Sequence, residues 1–318
     1  MTISRRSFLA TTGSCAAHLS LLATVPPGWL KSAWANRPQG KVVATEPFGS
    51  LEQLGDGLWA MISNPLGGDR TTLSNGGIVA GRNAVLAIEG FNQPPGAAWL
   101  ANKAKELTGR WPTHVIVTHY HSDHANGVAG YFGGADRPAM RATETTRSWV
   151  LEKNAKDAAR ADALKDVVAV PMDAASSLDL GGRTVRFVPR AGHTQSDVSI
   201  ELDEPSLVFC GDLLWNAMVP NYVDAVPSKL SVAVRAMRRS GRTTYVPGHG
   251  AVADPAAYDR YVAVIDEIEN AARAGHAAGK TATEAAAGFK LPESLGQWTL
   301  FSPQYFERAI GAWYKELG

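Results

Sequence analysis

The sequence predicts an α+β fold, a four-layer αββα sandwich with two β-sheets face to face and helices on the outside. Apolar runs of strand and helix character follow one another as strands, helix, strand, helices, hairpins, helix, strand, helix. That order suits two packed sheets with helical outer layers. Four of the strand-like runs lead directly to a histidine or an aspartate, which puts those side chains along one edge. No repeat or linker divides residues 36–318, so they form a single domain of a size that can bury a substantial core.

In chain order, residues 36–45 read as an unstructured lead-in. A strand is expected over Gly57–Ser63, then a loop over Asn64–Arg70, rich in Pro and Gly breakers. Leu73–Ala80 and Ala84–Ile88 read as two more strands of an antiparallel meander, turning at Gly81-Arg82-Asn83. Pro94-Pro95 opens a helix that Gly109 stops. His114–Val117 is a β-branched run. Gly127–Phe132 is a short helix and Glu144–Leu164 one longer helix. Hairpins follow over Ser177–Val188 and Val198–Cys210. A helix over Ser228–Arg239 and a strand over Thr243–Val246 come next, then helices over Pro255–Ala274, Thr281–Ala287 and Pro303–Leu317.

Residues 1–35 read as a cleaved export signal. Arg5 and Arg6 precede a moderately apolar stretch, and Ala33-Trp34-Ala35 offers small residues before a cut at Asn36. The stretch is too polar and too short for a spanning helix. The twin arginine resembles the bacterial Tat signal, so the Tat export machinery is the expected partner and the destination is periplasmic or otherwise exported. Lys and Arg number 31 against 30 Asp and Glu, a net charge of +1, and no basic run is interleaved with aromatics. Nucleic-acid binding is therefore not expected. Cys15 leaves with the signal and Cys210 remains alone, which excludes an intramolecular disulfide.

The chemistry concentrates in residues 118–127, where His119, His121, Asp123 and His124 stand within six positions. Along an extended path His119 and His121 project to one side and reach one metal. Asp123 and His124 diverge and reach a second. Downstream, His193, Asp212 and His249 each follow a glycine just past a strand. Glycine lets the backbone turn tightly and a ligand approach. Imidazole and carboxylate suit zinc. Five of the eight histidines fall in this pattern; His114 and His276 read as structural hydrogen-bonding residues. Cys210 stands two residues before Asp212 and reads as a small buried side chain at a strand end, with a place beside the metal as the alternative.

His-x-His-x-Asp-His followed by Gly-His, Gly-Asp and Gly-His resembles the metallo-β-lactamase superfamily, over residues 47–265. The resemblance implies the αββα sandwich of that family and two zinc ions, with iron or manganese as alternatives. It implies that His119, His121 and His193 hold the first metal, Asp123, His124 and His249 the second, and that Asp212 bridges them. His124 and Asp212 together place the chain nearer glyoxalase II, lactonases and phosphodiesterases than the β-lactamases. The basic glutathione-binding segment of glyoxalase II has no clear counterpart after residue 265.

The expected activity is that of an exported zinc-dependent hydrolase. Asp123 would orient a metal-bridged hydroxide that attacks an ester, thioester, lactone or lactam carbonyl. Two other readings stand beside it: a periplasmic metallo-β-lactamase, and a metal-binding accessory protein of a periplasmic redox system with little turnover. A small-molecule substrate is expected to meet Leu66, Trp215, Asn216 and Tyr222, which lie in stretches that should overhang the metal edge.

Overall fold

The computed structural model describes residues 40–133, 137–153, 156–302 and 304–318. The export-signal reading of residues 1–35, with Arg5 and Arg6, lies outside the described residues. Among the described residues, thirteen strands form two sheets. The larger runs in order from β1 to β8: β1 (Lys41–Glu46), β2 (Gly49–Gly55), β3 (Leu58–Ser63), β4 (Gly76–Ala80), β5 (Val85–Ile88), β6 (His114–Ile116), β7 (Ala139–Ala142) and β8 (Val168–Ala169). Strands β1 to β5 are antiparallel, and β5 to β8 are parallel. The smaller sheet has β9 (Ser176–Asp179), β10 (Thr184–Pro189), β11 (Val198–Leu202), β12 (Leu207–Trp215) and β13 (Thr244–His249) in the order β13-β12-β11-β10-β9. Only the β12–β13 pair in it is parallel.

The helices are α1 (Pro94–Thr108), α2 (Ser122–Ala125), α3 (Glu144–Lys153), α4 (Ala158–Ala163), α5 (Pro227–Met237), α6 (Pro255–Ala277), α7 (Ala282–Ala287) and α8 (Gln304–Leu317). Three apolar clusters hold the layers together. Leu86 and Ile88 face Phe187, Ile200 and Phe209 between the sheets. Val85 and Ala87 face the other way, onto Leu100 and Ala101 of α1. Strand β5 is thus buried on both faces and reads as a continuous apolar run. On the far side, Val208 and Tyr245 pack with Leu230 of α5, Tyr258 of α6 and Trp313 of α8. Each large apolar side chain buried in this way contributes roughly 1.5–3 kcal/mol. The expected four-layer αββα order is the one observed.

The structure differs from expectation at four places. Residues 41–46 are not a lead-in but an edge strand paired with β2. Both strands escape a periodicity reading, because β1 is largely exposed and β2 carries Glu52 and Gln53. Strands β7 and β8 are too short to signal themselves. The single helix expected over Glu144–Leu164 is two, because Asp157 caps α4 by accepting the Arg160 N–H at 3.0 Å. Strand β12 runs on to Trp215, with irregular pairing against β13 around Gly211.

Candidate metal centre

The seven candidate ligands meet at one edge of the sandwich. Among the described residues, His119, His121, His193 and Asp212 form one group able to hold a cation. Asp123, His124 and His249 form a second, and within each group the donor atoms lie within 4.8 Å of one another. His119 follows the end of β6, and His121 stands in extended backbone at the start of α2. That short helix then carries Asp123 and His124. His193 lies between β10 and β11. Its loop is closed by Asp197, which accepts from the Thr194 N–H at 2.7 Å and the Thr194 hydroxyl at 2.9 Å. His249 ends β13.

Asp212 joins the two groups. Its Oδ2 lies 3.2 Å from His193 Nε2, and its Oδ1 lies 3.1 Å from His124 Nε2 and 3.2 Å from His249 Nε2. Gly211 supplies the backbone for this approach with a φ of +52°, a conformation a side chain would resist. The same irregularity breaks the alternation along β12. Cys210, before that break, shares the face of Val208 and packs in the core with residues of α5 and α6, and its thiol donates to the Val208 carbonyl at 3.6 Å. It belongs to neither metal-holding group. The reading of Cys210 as a small buried residue is the one the packing supports.

The donor set fits metal ions. His119 Nε2, His124 Nε2 and Asp212 Oδ1 are buried and make no well-directed hydrogen bond, the approaches of Asp212 Oδ1 to His124 and His249 being ion-pair contacts. Leaving buried polar atoms poorly paired is costly, and cations held by the two groups would give each of them a partner. Nitrogen and carboxylate oxygen are donors zinc accepts readily. The outer nitrogens of several rings are held by the protein, as ligating histidines generally require. His119 Nδ1 lies 3.0 Å from the Thr118 hydroxyl. His124 Nδ1 lies 3.0 Å from Glu89 Oε1, and His121 Nε2 lies 3.0 Å from Asp224 Oδ2. Its Nδ1 faces His193 Nε2 at 2.9 Å.

The charges of the metal-free site follow from this packing. Burial, reinforced by the neighbouring rings of His124 and His121, holds the His119 pKa well below the ordinary imidazole value. Burial takes His193 down to about 3. The opposite holds for His249, where burial is outweighed by Asp212 and Asp123 and the pKa rises to about 9. His124 is raised as well, since Asp212, Glu89 and Asp123 overcome its burial. Burial pushes Asp123 up, yet His124 and His249 outweigh it and keep the carboxyl below its usual range. Protons on His124 and His249 thus stand where cations would place positive charge. Burial also pushes Asp197 up to about 8.

The residues expected at the substrate are placed as follows. Trp215 is buried with its ring 4.1 Å from that of His249, so it borders the centre. Asn216 is buried, and its amide donates to the Ala251 carbonyl at 2.8 Å, which supports the turn after His249. Tyr222 is buried, and Leu66 packs against the core of the C-terminal helices. The centre opens to solvent on the side of Asp123 and His249, which are 21% and 12% exposed.

Two residues at the centre carry no motif. Glu89 directly follows the apolar strand β5, and a lone carboxylate at that place is the one available signal. Asp224 lies in a loop after β12 and offers none.

The chain matches the family described as "Metallo-beta-lactamase superfamily" over residues 84–249. It is similar to a hydroxyacylglutathione hydrolase of Acidiphilium cryptum, 29% identical over 219 residues that make up 69% of this chain and 81% of the relative. A lactamase-like protein, aptB, of Emericella nidulans is 28% identical, covering 55% of this chain and 50% of that one. Among solved structures, a metallo-β-lactamase from Erythrobacter litoralis aligns with a TM-score of 0.54 at 19% identity, over 70% of this chain and 99% of its own. The sec-alkylsulfatase Pisa1 from Pseudomonas sp. aligns with a TM-score of 0.66 at 14% identity, over 95% of this chain and 62% of its own. At these identities the structural likeness concerns the fold.

Proposed function

This chain belongs to the metallo-beta-lactamase superfamily, and on that basis we propose that it is an exported hydrolase with two zinc ions, acting on a carbonyl ester or thioester. The observation that carries the reading is the position of Asp212, whose two oxygens each lie within 3.2 Å of ring nitrogens from a different ligand group. A carboxylate so placed supports a paired centre. Bound divalent ions supply Lewis acidity and water acidified toward neutral pH.

The chain's own residues do the rest. His119, His121 and His193 would hold one ion, Asp123, His124 and His249 the other, with Asp212 between them. Asp123 is the most open of the carboxylates and would accept a hydrogen bond from the attacking water, orienting it. Trp215, against His249, would wall one side of the mouth. The thioester preference is supported by the similarity to a hydroxyacylglutathione hydrolase. Export is supported by Arg5 and Arg6 ahead of an apolar stretch.

The experiment is metal analysis of the purified protein, then a hydrolysis panel of an acyl-glutathione thioester, a lactone, an aryl phosphodiester and a chromogenic cephalosporin. Two ions per chain with turnover of the thioester is the expected result. Turnover of the cephalosporin alone would move the protein to the β-lactamase reading. Two ions with no turnover at all would sink the hydrolase reading in favour of a metal-binding accessory protein.

A further inference from the structure

The loop over residues 216–226 runs from the end of β12, beside the metal centre, to the start of α5 and is tied at both ends. At its start the Asn216 N–H donates to the His249 carbonyl at 3.0 Å. Residues Ala217 and Val219 then exchange backbone hydrogen bonds with Thr299, at 2.9 and 3.0 Å. Asn221 is buried, and its Oδ1 accepts from Arg308 Nη1 of α8 at 2.7 Å. Three residues on, Asp224 reaches His121. At the loop's end the Val226 N–H donates to the Gly192 carbonyl at 2.9 Å, beside His193.

The Asp224 contact bears on which nitrogen of His121 can hold a metal. Neutral imidazole carries one proton, so one nitrogen donates and the other has a free lone pair. With Nε2 at 3.0 Å from Asp224, the proton belongs on Nε2. That leaves Nδ1, the atom facing His193, as the lone pair directed into the cluster. Without the carboxylate the ring would sample the other tautomer and other rotations, and both would weaken its hold on a cation.

We propose that Asp224 is a positioning residue for the metal centre, and that helix α8 holds it in place through Arg308 and Asn221. The inference rests on His121 holding a metal ion. It assigns a role to sequence beyond residue 249, where the matched family segment ends. The C-terminal helices then do more than cover the smaller sheet. They set the loop that orients a ligand on the opposite sheet.

The test uses the full chain, stripped of metal. Zinc affinity is measured by competition with a chromogenic chelator, and the His121 tautomer of the metal-free protein is read from its ring ¹⁵N shifts. Asp224→Ala is expected to weaken zinc binding about 10–100-fold and to mix the two tautomers. Asp224→Asn keeps an accepting oxygen and is expected to stay within about threefold of the parent, with the Nε2–H form retained. Arg308→Met is expected to weaken zinc binding by at least about threefold in the parent but to add nothing in the Asp224→Ala background, as for two residues in one pathway. Parent-like zinc binding and tautomer in Asp224→Ala would overturn the positioning role. Additive losses in the double variant would overturn the link to α8. A parent that binds no zinc would instead refute the proposed function.

Discussion

His124 Nδ1 lies 3.0 Å from Glu89 Oε1, and both side chains are buried. Glu89 also accepts from the Thr118 backbone N–H at 3.2 Å and from the Thr118 hydroxyl. One carboxylate thus orients a candidate ligand and closes the turn that leads to His119. Glu89→Ala leaves several buried donors unpaired and is expected to cost about 3 kcal/mol of stability. Glu89→Gln retains an acceptor and is expected to lose less. Urea unfolding of the metal-free variants checks this, and equal losses would show that the hydrogen bonds are not what matters.

Gly248 makes room for Asp212. A Cβ built there would overlap Asp212 Oδ1, the atom that faces both His124 and His249. Gly248→Ala must therefore push the carboxylate out of the cluster or distort β13. The expected result is a loss of zinc affinity of at least about tenfold, the scale seen when residues supporting a ligand are changed. Chelator competition reads it directly, and parent-like affinity would refute the packing account.

Asn75 fastens the His249 turn to the larger sheet. Its amide donates to the carbonyls of Pro247 at 2.9 Å and Gly250 at 2.8 Å, and its Oδ1 accepts from the Ser63 N–H at 2.9 Å. It is buried, so Asn75→Ala strands three partners away from water. A loss of about 2–4 kcal/mol is expected, together with faster amide exchange around residues 247–250. Exchange confined to the rest of the chain would argue against the role.

The metal-free and metal-bound proteins should respond to pH in opposite directions. Asp212 and Asp123 outweigh burial and raise His249 to about 9 in the folded state, against about 6.5 for an ordinary histidine. The folded protein binds this proton more tightly than the unfolded chain does. Its contribution to stability is therefore complete below about pH 6.5 and is lost as pH rises through about 9. A cation needs the neutral ring, so zinc affinity should climb over the same window, with proton release on binding. Thermal melts of the metal-free protein and calorimetry in buffers of different ionisation enthalpy measure the two trends. His249→Gln should reduce both trends, leaving the part that His124 carries, and a pH-independent affinity in the parent would contradict the assignment.

Much of the metal centre could be read along the chain. His119, His121, Asp123 and His124 stand together, and His193, Asp212 and His249 each follow a glycine. Donor type belongs to the residue, and a strand end followed by such a residue is a local pattern. The αββα order was legible for a similar reason, since strands such as β5 are apolar on both faces and helices such as α1 start at Pro and stop at Gly. The edge strand β1 and its neighbour β2 were not, because β1 is largely exposed and β2 carries Glu52 and Gln53 where an apolar alternation would be looked for.

What residue order alone established is which donors this protein has and which strands deliver them. How those donors face one another came from long-range packing. Glu89 and His124 are separated by 35 residues, and Asp224 and His121 by 103. Asp212 reaches both groups because β12 is irregular at Gly211, where it pairs with a strand more than 30 residues away. Hydrogen bonds across such separations depend on how the two sheets and the C-terminal helices pack, and no local pattern of residue types encodes that arrangement.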